Sequence, residues 1–188
     1  SFTTVDTTNP TFSSSSPIDN ATRIAIDSDI VLNFSEAVDV GTGNILFKKT
    51  SDNSTIETID VNSSKVTGTG TNQITINPKT LLEEKNSYYI HIEPTVFKDL
   101  SGNSFAGISD KTSLSFTTVD TTNPTLIRSS SDNSNAIYTN ANFIFNFSEA
   151  IEVGEGDIEI YKSENGESIV EIIDVNSSQV TGTGSNKI

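Results

Sequence analysis

The stretch Ile30-Val-Leu-Asn-Phe-Ser-Glu-Ala37 sets Ile30, Leu32 and Phe34 against Val31, Asn33 and Ser35, a period of two that marks a strand with one buried face. It runs into an acidic, glycine-containing stretch, Glu36 to Gly43. Working outward, the same signal returns at Thr11 to Ser15, Ile45 and Phe47, Ile59 and Val61, Ile74 and Ile76, Tyr88 to Ile92, and Leu114 and Phe116. Proline closes two of these runs, at Asn77-Pro78 and at Pro94, because it cannot donate to a ladder. Helical signal is confined to Lys79 to Glu84, where a short turn is expected to tuck Leu81 and Leu82 under the strands. The apolar loop Val96-Phe-Lys-Asp-Leu100 is expected to do the same. About seven short strands separated by turns of Asn, Asp, Gly and Ser predict an all-β, two-sheet sandwich of immunoglobulin type.

The same strand is copied. Asn33-Phe-Ser-Glu-Ala37 returns as Asn146-Phe-Ser-Glu-Ala150, and Ile59-Asp-Val-Asn-Ser-Ser64 as Ile173-Asp-Val-Asn-Ser-Ser178. The segment Ser-Phe-Thr-Thr-Val-Asp-Thr-Thr-Asn-Pro-Thr occurs unchanged from Ser1 and from Ser115, which sets a period of about 114 residues. Near-identical modules in series make length, reach or multivalency, whereas an enzyme usually carries one active site on one scaffold. The expected organisation is residues 1–4 as the last strand of a preceding repeat, 5–118 as a complete module, and 119–188 as a truncated second one. Such a chain reads as a piece of a longer protein. The strands that would complete the second module are expected beyond Ile188 or, as the alternative, from a neighbouring chain, since an open sheet edge invites pairing.

Composition narrows the function classes. Hydrophobic residues are only 33% of the chain, but they fall in alternating runs, as folded β structure requires. With no Cys there are no disulfides or thiolate metal sites, a composition that fits exported bacterial or archaeal proteins. The net charge of −14 and 11 scattered basic residues argue against nucleic acid, whose phosphates need clustered Lys and Arg. No apolar run is long enough to span a bilayer, so membrane insertion is not expected of this segment. An acidic surface reads either as solubility in a salty or extracellular medium or as divalent-cation binding.

The ordered set Pro10, Asn33-Phe-Ser-Glu-Ala-Val38, Ile74-Thr-Ile-Asn-Pro78, Tyr88-Tyr-Ile-His-Ile92, Asp99-Leu-Ser-Gly-Asn103 and Leu114-Ser-Phe-Thr-Thr118 resembles the bacterial Ig-like modules of surface-layer proteins and large adhesins, of the SbsA type. The resemblance covers the whole chain. It implies a non-catalytic extracellular module and names no ligand.

Topology should gather the carboxylates. In an immunoglobulin sandwich the chain enters at one pole, and the loops after the second and sixth strands return there. Asp6 lies in the leading linker, Glu36 and Asp39 follow the second strand, and Asp99, Asn103 and Asp110 follow the sixth. In the second copy Asp120, Glu149 and Glu152 take the corresponding places. The cation that suits such a cluster is calcium, with six to eight oxygen ligands and loose geometry, and its expected place is the module junction. Zinc would want His or Cys, and only His91, mid-strand and expected to face solvent, exists. The plainer reading keeps Glu36 as a strand end, Asp6 as the start of a turn, and Asp99 to Asn103 as a turn with Gly102 left-handed.

Catalysis has little to stand on: Glu83 and Glu84 are adjacent and point apart, no Gly-x-Ser-x-Gly elbow exists, and His91 has no evident partner. Val66-Thr-Gly-Thr-Gly-Thr71 sets threonines at alternate positions and reads as a glycine-loosened bend in preference to a flat ligand-binding face. Asn-x-Ser/Thr triplets occur at Asn20, Asn53, Asn62 and Asn176, among others, so glycosylation is chemically open in a secreted chain. The expected role is a cell-surface stalk, spacer or lattice module, with neighbouring copies as partners and lateral self-association separating a lattice from a stalk. The competing reading is a carbohydrate-binding module of a secreted protein. It needs exposed aromatic platforms, and this chain has no Trp and four Tyr.

Overall fold

The structure is a computed structural model that describes residues 4–130, 141–162 and 168–188. Contacts divide it into two units, residues 1–121 and 122–188. Of the segment expected to end a preceding repeat, residues 1–3 lie outside the described residues and Thr4 is irregular.

The first unit is a sandwich of two five-stranded sheets. One sheet runs in the order β1 (Phe12–Ser16), β3 (Ile30–Val40), β7 (Thr71–Ile76), β6 (Val66–Thr67), with β9 (Phe97–Asp99) also paired to β3. The other runs β2 (Ala21–Ile24), β10 (Ser115–Thr118), β8 (Ser87–Ile92), β4 (Asn44–Lys49), β5 (Thr55–Asp60). All pairs are antiparallel except β2 with β10, which is parallel. The core is what the alternation promised: Ile30, Leu32, Phe34, Ile74 and Ile76 from one sheet close on Ile45, Phe47, Ile59, Tyr88, Ile90, Ile92 and Phe116 from the other. Phe34 anchors one end, its ring 5.2 Å from Phe97 and 5.3 Å from Phe105 in edge-on arrangements.

The structure departs from the sequence expectations in four places. Among the described residues there is no helix; Lys79 to Glu84 is an irregular crossing in which Leu82 is buried and Leu81 exposed. Val96 to Leu100 is no loose loop, because Phe97–Asp99 forms β9, with Val96 and Phe97 buried and Leu100 left 66% exposed. β3 runs on through the acidic stretch to Val40, its far half keeping β7 at Val38↔Thr71 and, on the edge where β1 has ended, pairing with β9 through Val38↔Asp99 and Val40↔Phe97. Finally, β2 escaped the alternation search because Ala21-Thr-Arg-Ile24 buries little; its parallel partner β10 holds it. Among the described residues no helix is long and apolar enough to cross a membrane.

The second unit repeats the first half of that plan. β11 (Leu126–Ser129), β12 (Phe145–Ile151) and β15 (Ser185–Lys187) form one sheet in the order of β1, β3 and β7. β13 (Asp157–Tyr161) and β14 (Ile169–Asp174) form a hairpin in the register of β4 and β5, with Ile158↔Ile173 standing for Ile45↔Ile59. The local devices return too. Ser35 donates its N–H to Thr11 O at 2.9 Å, and Ser148 donates to Thr125 O at 2.8 Å.

Candidate functional site

Glu36 sits where β3 changes partners. The register between β3 and β7 is regular to Asn33↔Gln73 and resumes only at Val38↔Thr71, so Glu36 lies in an irregular stretch, at the point where β9 takes over from β1 on the opposite edge of β3. Bulges of this kind re-aim a side chain next to a site. Asp99 ends β9 directly opposite Val38, and Asp6 arrives in the leading segment. One carboxylate oxygen each of Asp6, Glu36 and Asp99 lie within 4.8 Å of one another. Asp6 is exposed, Glu36 half-buried, and Asp99 only 2% exposed.

Asp99 is also the organiser of its loop. Its Oδ1 accepts the N–H groups of Ser101 at 2.9 Å and Asn103 at 2.7 Å, and its Oδ2 accepts the Asn103 amide at 2.7 Å. Burial pushes its pKa up, but these hydrogen bonds from Asn103 and Ser101 outweigh it and hold the carboxyl below the usual range. Gly102 adopts φ +93°, the left-handed turn position expected of it. The second hydrogen of the Asn103 amide reaches the Asp6 carbonyl at 3.1 Å, tying the leading segment to the loop. Glu36 responds in the opposite direction: burial first, then the charges of Asp6 and Asp99, push its carboxyl up.

The donor set is all oxygen, and opposed oxygens of a calcium shell stand about 5 Å apart, a span these three carboxylates match. Asp6 and Glu36 carry most of the spare ligand capacity, since the oxygens of Asp99 already accept three hydrogen bonds. Among the described residues this is the one group of three or more such side chains close enough to share an ion.

The other candidates lie elsewhere. Asp39 points to the Gly-Thr-Gly turn, where its Oδ1 accepts the Thr69 hydroxyl at 3.0 Å. Glu152 does the same in the second unit, accepting from Thr183 at 3.3 Å. The two threonines also accept the N–H groups of Val40 and Val153, both at 3.3 Å. The Val-Thr-Gly-Thr-Gly motif therefore clasps the end of its neighbouring strand. Asp110 caps its own turn, its carboxyl held down to about 2 by the hydroxyls of Ser113 and Thr112 and the N–H of Thr112. Asp120 pairs with Lys85 at 2.7 Å within the first unit. Glu149 occupies the Glu36 position on β12. His91 is half-buried in β8, beside Leu46 across the ladder.

Sequence reading passed over Glu57. It is buried against the Lys65 ammonium, and its carboxylate accepts the N–H groups of Lys79 and Thr80, at 3.1 Å and 2.9 Å. Burial raises its pKa, but Lys65 and the two N–H groups lower it further, so the net direction is down. The available signal was parity: Glu57 shares the inward face of its strand with Ile59 and Val61. Of the aromatic residues a sugar platform would need, Tyr88 and Tyr89 are both buried, the Tyr89 ring lying 5.9 Å from the Lys111 ammonium. Tyr161 is half exposed, and Tyr138 lies outside the described residues.

Two facing antiparallel sheets, one parallel pairing of late and early strands, and a core built from both inner faces define an immunoglobulin-like β-sandwich. The bacterial Ig-like domain matches residues 6–118, and the chain belongs to that family. No curated protein matches it. Among solved structures it is similar to CopC from Methylosinus trichosporium OB3b, at 16% identity and a TM-score of 0.44, over 61% of this chain and 97% of that one. It is also similar to the S-layer protein rSbsC(31-844), at 13% identity and a TM-score of 0.41. That likeness covers 96% of this chain and spans 25% of the S-layer chain.

Proposed function

We propose that this chain is a structural repeat of an extracellular bacterial or archaeal surface protein, a stalk, spacer or lattice module of the SbsA type found in surface-layer proteins and giant adhesins. One observation carries the reading: the linker Val-Asp-Thr-Thr-Asn-Pro recurs unchanged at Val5 and Val119, each time ahead of the same strand-turn plan. Such duplication adds reach and leaves the surface chemistry largely unchanged. The role is non-catalytic, its partners are further copies along the chain, and its place is the cell surface. Immunolabelling of intact cells together with electron microscopy of the purified protein tests it. Surface label with single rods or ordered sheets supports it, and label confined to lysed cells overturns it.

A calcium ion held by Asp6 and Glu36, with Asp99 behind them, is the second part of the proposal. Its support is the convergence of three carboxylates at one pole of the first unit. Burial first, and then repulsion from Asp6 and Asp99, pushes the Glu36 carboxyl up, and an ion would relieve the repulsion. Calorimetric titration of the whole chain with calcium should show binding that Glu36→Gln weakens at least tenfold, and scattering with and without chelator should show stiffening. Absence of binding removes the ion and leaves the spacer reading intact.

A further inference from the structure

A spacer is pulled from its two ends, and the parallel pair β2–β10 stands where such a pull would be resisted. β10 is the last strand of the first unit, and Val119 leads directly out of it. β2 follows β1, and β1 belongs to the opposite sheet, where it pairs with β3. Tension at the chain ends therefore draws β2 towards its own N-terminal end and β10 towards its C-terminal end. Because the two strands are parallel, paired at Phe116↔Ala21 and Thr118↔Ile24 on either side of a one-residue irregularity in β2, they are driven past each other along their length. Every bond between them is loaded at once. An antiparallel pair pulled apart from one end would release its bonds one after another.

The patch is pinned at both ends. At the start of β10, the Asp19 carboxylate accepts both the N–H of Ser115 at 2.9 Å and its hydroxyl at 2.8 Å. Asn20 returns an N–H to the Ser115 carbonyl at 2.8 Å, from a left-handed backbone at φ 59°. At the other end Val119 donates its N–H to the Ile24 carbonyl at 2.8 Å. Beneath it Phe116 and Leu114 are buried in the core, so sliding also drags apolar side chains through packed neighbours. β2 itself buries little, which leaves cross-strand bonding as its main attachment.

We propose that β2–β10, with Asp19 and Asn20 bracketing Ser115, is the force-bearing clamp of the module, a mechanical function that rests on the spacer reading. Single-molecule pulling of the full chain tests it, the first unit being recognised by the length it releases. A matched control exists in the β4–β5 turn, where Asp52 likewise accepts the N–H of Ser54 at 2.9 Å and its hydroxyl at 2.7 Å. Asp19→Ala should speed unfolding under constant end-to-end force about tenfold, the expected loss for such a pair of bonds to a charged group. Asp52→Ala, losing the same bonds outside the patch, should change that rate less than about twofold. A second geometry needs no destabilising variant. Pulling between Ser51→Cys and the C-terminus draws on two strand ends at the same pole, so the sheet is peeled and should yield at a clearly lower force. Equal rates for the two alanine variants, or equal forces in the two geometries, overturn the clamp. A strong clamp in a chain that immunolabelling finds only inside cells would instead sink the spacer reading alone.

Discussion

Phe47 and Ile160 occupy the same place in the two units and live in different worlds. Phe47, on β4, is fully buried between two sheets, while Ile160, on β13, is only half-buried on a hairpin with one partner strand. The register around them is shared, Phe47 facing Glu57 and Ile160 facing Glu171. What differs is the far edge. β4 is also paired to β8, and β8 to β10, whereas β13 has β14 alone among the described residues. Strand formation, turn geometry and register are thus local properties of the repeat, and burial comes from the distant strands that close the sandwich. The same split shows in charge. Glu57 is buried with Lys65, and its counterpart Glu171 is exposed and hydrogen-bonded to neutral Gln179 at 3.2 Å.

The comparison can be broken most readily in the core. Phe47→Ala should cost the first unit about 3–5 kcal/mol by denaturant unfolding, from lost transfer energy and the cavity left behind. Ile160→Ala should cost far less, about 1 kcal/mol, as befits a half-buried site with one partner strand. Equal costs would mean that the second hairpin is covered as well as the first.

Next in size is the buried carboxylate. Glu57→Gln removes the charge facing Lys65 and weakens the acceptor for two N–H groups, an expected loss of about 2–3 kcal/mol, against under about 0.5 kcal/mol for Glu171→Gln. The folded pKa of Glu57 lies below its unfolded value. Its stabilisation is therefore complete above the ordinary glutamate range, near pH 4.3, and is lost as pH falls through the lower folded value. Thermal melts from pH 7 down to pH 2 should show the first unit weakening on the acid side of about pH 4, with a flatter profile in Glu57→Gln.

The smallest expected difference is at the turn glycines, where the two units should agree. A Cβ on Gly68 would stand 2.1 Å from the Gln73 carbonyl oxygen, and one on Gly182 stands equally close to that of Lys187, both at positive φ. Alanine at either position should cost more than about 1 kcal/mol of local stability, read as lost hydrogen-exchange protection in that hairpin. A unit that tolerates the change does not share the clasp.

The sandwich was legible in Ile30 to Phe34 and Tyr88 to Ile92, because alternation reports directly on a half-buried strand. The acidic pole was partly legible. Topology brought Asp6, Glu36, Asp99 and Asn103 together, but the same reasoning assigned Asp39 and Glu152 to it, and they bind threonine hydroxyls instead. Position along β3 separates them: Glu36 falls in the irregular stretch of β3, while Asp39 lies beyond it, opposite Lys98. β2 and β9 were invisible because each is short and held by a partner more than 50 residues away, information no local window contains.

One small turn carries a constraint on timing. Asn62 and Asn176 each head an Asn-Ser-Ser triplet, and each donates its side-chain amide to the carbonyl of a glycine, Gly41 at 3.0 Å and Gly154 at 2.9 Å. The nitrogen to which an oligosaccharide would be joined is the nitrogen that staples the loop shut. A transferase working at the membrane would have to reach these asparagines on the nascent polypeptide, and a sugar installed there would leave the nitrogen a single N–H with which to hold the glycine carbonyl.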